Sequence, residues 1–206
     1  PVKSLMESIH RERITSASDT RVLGEVFTTQ KKYETAIEIA LGAAISNVIT
    51  KDEEIAKVLI GYLKKNNLGR ATFLPLNIIK GRKLELDKSI TQANGYVGIG
   101  SDIISYDKEY DNIMNYVLGR TIICTDMDCA LNIARIGRYG YKIVTLEGEV
   151  LNPGGALTGG SIKGKNSNVL GRKREIEELT ESITEKRKHY EELIALVQSI
   201  KEEIKK

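Results

Sequence analysis

Cysteine and histidine are scarce in this 206-residue chain, two of each, and their scarcity closes several routes to function. Cys124 and Cys129 are too few and too poorly spaced for a disulfide framework or a four-ligand zinc site, so they read as packed thiols. His10 and His189 stand far apart with no cysteine beside them, as surface or coiled-coil residues do. No run approaches the roughly 18 to 20 continuous apolar residues of a membrane span, and the opening PVKSLMESIH lacks the apolar stretch of a signal peptide. Low-complexity blocks are missing too. The expectation is a soluble, cytoplasmic protein with no membrane partner, metal or cofactor. The chain opens at Pro1 rather than methionine, as a piece of a longer protein would.

What is present supports a packed core. Hydrophobic residues make up 41% of the chain, enough for one domain or two small lobes. The net charge of +3 says little by itself; its distribution says more.

The clearest pattern lies at the C-terminal end. Ile176, Leu179, Ile183, Lys186, Tyr190, Leu193, Val197, Ile200 and Ile204 follow one another in alternating steps of three and four, a heptad seam with Lys186 its one polar member. Glutamate, lysine and arginine fill the other faces. A coiled coil is predicted, and its partner helix must come from outside this chain, which offers no other helix of such length. The alternative is an amphipathic helix folded back on its own domain.

Upstream, the chain repeats itself. Tyr33-Glu-Thr-Ala-Ile-Glu-Ile-Ala-Leu-Gly42 matches Tyr110-Asp-Asn-Ile-Met-Asn-Tyr-Val-Leu-Gly119, with tyrosine and Leu-Gly each displaced by 77 residues. Each copy reads as a helix closed by a left-handed glycine, Gly42 or Gly119, and then a strand, Ala44–Ile49 or Thr121–Cys124. A second helix follows, opening at Asp52 or Asp126 and closing on Lys64 and Lys65 or on Arg135 and Arg138, as the helix dipole favours. Closing strands at Arg70–Leu74 and Lys142–Leu146, with leading strands at Val22–Thr28 and Tyr96–Ser105, complete β-α-β-α-β twice. The expected layout is an α+β chain: a lead-in at 1–20, a first lobe at 21–76, a connection at 77–95, a second lobe at 96–170, and a helical arm at 171–206.

Two features could carry function. The run Asn152-Pro-Gly-Gly-Ala-Leu-Thr-Gly-Gly-Ser161 places Pro153 and Gly154 as the central corners of a type II turn, and Gly154, Gly155, Gly159 and Gly160 flank a short strand-like stretch. Without Cβ atoms, such an edge can lie against another backbone, although a flexible hairpin fits the composition equally. The segment Gly159–Lys165 has the glycine and lysine spacing of a phosphate-binding loop, but Asn166 stands where Ser or Thr should meet Mg²⁺. With Thr121–Asp126 as an acidic strand end, a nucleotide-binding enzyme is the alternative reading; a protein-only coiled-coil adaptor is another. The second feature is charge: Val150 to Arg174 contains no acid but carries Lys163, Lys165, Arg172, Lys173 and Arg174. Another acid-free stretch, Ile55 to Leu84, holds Lys57, Lys64, Lys65, Arg70, Lys80, Arg82 and Lys83. Such stretches suit a phosphate backbone without base reading, or are solvated lysine and nothing more.

These motifs, in this order, resemble the hinge of structural-maintenance-of-chromosomes (SMC) proteins, in wording closest to the bacterial and archaeal homodimeric type. The resemblance rests on Lys31-Lys-Tyr-Glu34 through Ala40-Leu-Gly42, Gly69-Arg-Ala-Thr-Phe-Leu-Pro-Leu76, Leu118-Gly119, Ile143-Val-Thr-Leu-Glu-Gly148 and the glycine-rich run. It implies an α+β hinge fold of two lobes that dimerises through sheet edges and glycine segments, here Gly154, Gly155, Gly159 and Gly160. It also implies DNA contact at the arm root, through Lys163, Lys165, Arg172, Lys173 and Arg174. The arm helix entering before Pro1 would be the partner of the Ile176–Ile204 seam. The fragment itself would have no catalytic residues, because ATP is handled in that family by distant head domains, and the whole protein would serve chromosome condensation and segregation on the nucleoid.

Overall fold

The computed structural model describes residues 1–11, 14, 17–160 and 169–204, and it divides into two units, residues 1–168 and 169–206. In the first unit, helix α1 (Val2–His10) buries Leu5 and Ile9, four residues apart. They join Ile14, Ala17, Leu59 and Leu63 in one apolar cluster.

The first lobe contains β1 (Arg21–Val22), β2 (Phe27–Thr29), α2 (Glu34–Leu41), β3 (Val48–Thr50), α3 (Glu53–Lys65) and β4 (Phe73–Pro75). A short helix, α4 (Lys88–Thr91), lies in the connection. The second lobe runs β5 (Tyr96–Ile99), β6 (Ile104–Tyr106), α5 (Asp111–Leu118), β7 (Thr121–Cys124), α6 (Met127–Ile136) and β8 (Lys142–Thr145), and then adds β9 (Val150–Leu151) and β10 (Leu157–Thr158). The second unit is one helix, α7 (Val169–Ile204).

The repeat seen in the sequence is structural. The first lobe forms a sheet in the order β1-β3-β4, and β5-β7-β8 forms the same arrangement within the five-stranded sheet β10-β9-β8-β7-β5. Both have an antiparallel first pair and a parallel second pair. Asp52 and Asp126 are true N-caps: each carboxylate accepts from the backbone N–H three residues on, Ile55 or Cys129, at 2.9 Å. Between the lobes, β2 pairs antiparallel with β6, with Thr28 opposite Ser105, Phe27 opposite Tyr106 and Thr29 opposite Ile104. At the repeat offset, Phe27 corresponds to Ile104 and Thr29 to Tyr106. Each strand therefore meets its own counterpart about the Thr28–Ser105 pair, which is what a local two-fold axis requires.

Several expectations need correction. The leading strands, expected as single runs, are each broken by a 3₁₀ turn, at Leu23–Glu25 and Gly100–Asp102. The chain passes there from its lobe sheet into the β2–β6 ribbon, and it can do so because Gly24 and Gly100 are buried: a Cβ would meet Ile45 at 3.1 Å or Leu118 at 3.2 Å. The strand expected from Ala44 begins at Val48, since Gly42–Ser46 forms a 3₁₀ turn. Gly42 does adopt positive φ, at 51°, but Gly119 stays helical, at φ −65°. Gly119 is required for space instead, because a Cβ there would lie 2.4 Å from Asn115 O and 2.7 Å from Arg82 O. Arg138 lies beyond α6, in left-handed backbone at φ 51°, rather than in its last turn.

Candidate association edge and charged surfaces

Within the glycine-rich run, Leu157–Thr158 form β10, the outermost strand of the second lobe's sheet. Gly155 N–H donates to Asn152 O at 3.0 Å, with Gly154 at φ 88°, which is the type II turn that Pro153-Gly154 predicts. Gly155 at φ 95° and Gly160 at φ 130° also hold conformations that side chains resist. Gly159 does not, and a Cβ added there would have only ordinary contacts, 3.5 Å to the Glu149 side chain at nearest.

The turn is anchored from the loop after α6. Gly154 N–H donates to Tyr139 O at 2.9 Å, and the Tyr139 ring lies 3.5 Å from the point where a Gly155 Cβ would sit. Tyr139 itself has φ 56°, so the loop turns left-handed to reach the glycines. The sequence reading missed this residue; its one signal was the short Gly137-Arg-Tyr-Gly140 run. Beyond the turn, β10 pairs with β9, Leu157 opposite Leu151 and Thr158 opposite Val150, while its other side is an edge of the sheet. Leu157 is 56% exposed, and Ile136 and Tyr139 are also exposed.

The first lobe ends its sheet two strands sooner, at β4. Aligning the N-caps Asp52 and Asp126 makes Ile60 the counterpart of Ala134. Ala134 is 1% exposed, in the lobe that carries β9 and β10, whereas Ile60 is 52% exposed, in the lobe that lacks them. A large apolar side chain thus stands in solvent at a position that its duplicate covers.

The predicted basic residues divide. Lys163, Lys165 and the Lys173 side chain lie outside the described residues. Arg172 and Arg174 lie on α7, where Arg174 donates to Glu178 one turn later at 2.8 Å. The stretch from Ile55 to Leu84 does not form one surface: Lys57 pairs with Glu54 at 3.5 Å, Lys64 and Lys65 end α3, and Lys83 pairs with Asp102. Along α7, the apolar seam residues are 45 to 79% exposed, Leu193 least and Ile204 most. Ile176, Leu179, Ile183, Tyr190, Val197 and Ile200 fall between those limits.

Asp126, the acidic strand end of the nucleotide reading, is occupied as a helix cap. The Thr125 hydroxyl donates to it at 2.6 Å, and this bond, with the Cys129 N–H, holds its carboxyl below the usual carboxylate range. Cys124 and Cys129 are buried, and burial raises both thiols. Lys142 donates to Ala40 O of the other lobe at 2.8 Å, and burial lowers its pKa. Among the described residues there is no cluster of three or more His, Cys, Asp or Glu able to hold a metal, and no helix long and apolar enough to cross a membrane.

Comparison with known proteins agrees with this architecture. Residues 17–134 match the family described as SMC proteins flexible hinge domain. The chain is 51% identical over 178 residues to the chromosome partition protein Smc of Clostridium kluyveri, covering 86% of this chain and 15% of that protein. To the protein of the same name from Bacillus subtilis it is 45% identical over 163 residues, covering 78% of this chain and 14% of the other. The chain thus spans about one seventh of these relatives. Among solved structures, an asymmetric dimer of the Geobacillus stearothermophilus SMC hinge domain is similar at TM-score 0.72 and 35% identity, over 89% of this chain and 80% of that one. The Pyrococcus furiosus SMC hinge domain follows at TM-score 0.57 and 37% identity, over 70% and 74%. With two lobes related by a local two-fold, small sheets of which the second ends in a glycine-flanked edge, and these matches over most of its length, the chain belongs to the SMC hinge-domain family.

Proposed function

We propose that this chain is a dimerisation hinge that joins two coiled-coil arms of a chromosome-segregation protein and contacts DNA without sequence specificity. The observation that carries the dimer is the pair of unequal sheet edges. In each copy, β10 presents a short, glycine-flanked strand with Leu157 exposed, and β4 ends the sheet of the lobe whose helix α3 leaves Ile60 exposed. Laying β10 of one copy along β4 of a second would extend the three-stranded sheet as β9 and β10 extend the other, and would cover Ile60 as Ala134 is covered. Pro75, which has no N–H to donate, is tolerated on such an edge. Two such contacts, exchanged between two copies, close on themselves with two-fold symmetry and leave no further edge of this kind to recruit a third.

Support comes also from the similar Geobacillus structure, a dimer of hinge domains, and from a Pyrococcus furiosus Smc hinge domain with an extended coiled coil, similar at TM-score 0.59 and 35% identity. The exposed seam of α7 awaits a partner helix, which the arm preceding Pro1 would supply. Arg172 and Arg174, with Lys163, Lys165 and Lys173 near them in sequence, would give the DNA contact at the arm root. ATP chemistry would belong to other parts of the parent protein, and its site of action would be the nucleoid.

Hydrogen exchange followed across protein concentration tests the association mode. The backbone amides of residues 157–160 and of Phe73 should become protected together as concentration rises into the dimeric range, whereas the Leu76 N–H already donates to Thr50 O within the single chain. Protection of either edge that does not change with concentration would exclude this pairing.

A further inference from the structure

The connection between the lobes carries a charged surface of its own. After β4, residues 77–87 run without regular structure, yet they are clamped along α5. Gly81 N–H donates to Asn112 Oδ1 at 3.3 Å, and Leu84 N–H donates to Gly119 O at 2.9 Å. The approach is so close that a Cβ on Gly81 would lie 2.2 Å from Asn112 O and 2.6 Å from the Tyr116 nitrogen. From the other side, a Cβ on Gly119 would lie 2.7 Å from Arg82 O. Two glycines therefore seat the segment on the helix, and Lys80 and Arg82 flank the first of them.

Gly119 is followed by Arg120, so the clamp brings the backbone at Arg120 close to that at Arg82. Lys80, Arg82 and Arg120 are all exposed. Of the acids in this part of the lobe, Asp102 is paired with Lys83, while Asp111 accepts from the Tyr106 hydroxyl at 3.1 Å and keeps its charge. Glu85 and Asp87 come only after Leu84, where Leu84 and Leu86 turn into the second lobe's core. Tyr116, 55% exposed, stands on α5 next to Gly81. Cations held on a fixed backbone lose less entropy on binding than cations on a mobile loop. Spread along a helix with an exposed aromatic ring among them, they fit a chain of phosphates rather than one enclosed anion.

We infer that Lys80, Arg82 and Arg120 form a second contact for the phosphate backbone of DNA, on the lobe surface. This rests on the reading of the chain as a DNA-contacting hinge and adds a site to it. The test measures fluorescence anisotropy of a labelled DNA duplex between about 50 and 200 mM salt, the range over which phosphate contacts are lost. Replacing all three residues by Gln should lower the slope of log affinity against log salt by up to about 2.7, at about 0.9 per contact. The solution mass and far-ultraviolet spectrum should not change. Neutralising Lys57, Lys64 and Lys65 removes the same charge elsewhere and should leave the slope nearly intact; an equal fall there would mean general attraction and no site.

A wild-type protein that binds no DNA overturns the hinge reading of DNA contact as well as this one. Wild-type binding that survives the triple change, but falls on Arg172→Gln with Arg174→Gln, overturns only the second site. A triple variant that loses polyglutamate binding while keeping its DNA slope would assign the surface to an acidic protein instead, and so refute the inference. Should the triple variant misfold, Lys80→Gln and Arg120→Gln singly carry the same test, each with a slope change of about 0.9.

Discussion

Leu157→Ala isolates the proposed edge contact from the stability of the fold. In the single chain Leu157 is 56% exposed, on a two-residue strand at the margin of its sheet, so its loss should cost the isolated lobe little. If β10 lies along a second copy, the exposed part becomes buried. Truncation removes three carbons, each worth about 0.8 kcal/mol when fully buried. Scaled to the 56% still open to solvent, the loss is about 1.3 kcal/mol per contact. A two-fold dimer makes the contact twice, which doubles the penalty to about 2.6 kcal/mol and weakens dimerisation by roughly 80-fold. Sedimentation equilibrium over a range of loading concentrations reads this directly, and a urea titration of the monomeric species checks that the fold is intact. A change in dimer affinity of less than about threefold, with folding unaltered, would show that Leu157 stays in solvent and that the edge is not the interface. Gly159→Val offers a companion probe: it has room for a side chain within its own chain, so any loss of dimer on that change reports on the approach of another.

The two capping aspartates should behave as independent copies of one device. Asp52→Ala and Asp126→Ala should each cost about 1 kcal/mol in urea unfolding, and the double variant should show their sum, because the caps lie in different lobes; strong non-additivity would contradict the duplicated-lobe description. Tyr106, pushed up to about 12 by burial first and by its bond to Asp111 second, should be the last phenol to ionise. A raised phenol pKa in the folded state means that the unfolded chain gives up its proton first. The stabilisation is therefore whole below about 10, the ordinary tyrosine value, and is lost as the pH rises through about 12. Ultraviolet titration of Tyr106→Phe should lack the late step; an unchanged curve would refute the assignment.

Much of the lobe architecture was legible because it is written in short-range chemistry. Asp52 and Asp126 announce helix starts, the Tyr and Leu-Gly pairs mark a duplicated helix, and Pro153-Gly154 specifies its turn type. Gly24 and Gly100, where the leading strands leave one sheet for another, gave no such signal, since what demands glycine there is a packed side chain distant in sequence. Gly119 misled for the same reason: it looks like a left-handed cap, yet it serves the close passage of Arg82. The glycine-rich edge was recognised by composition, but its anchor, Tyr139, was not, because the contact joins segments that no local pattern connects. The exposure of Ile60 could be noticed only once its counterpart Ala134 was seen to be covered. The long basic stretch after Ile55 looked continuous, whereas folding scatters it over α3, a connecting loop and the flank of α5.

The central claim is that two copies of this fold join reciprocally through their unequal sheet edges. Sedimentation equilibrium of the unmodified 206-residue chain at micromolar concentration tests it most directly. The account predicts twice the 22.9 kDa chain mass, with no larger species as concentration rises. A folded particle of single-chain mass throughout that range would contradict it.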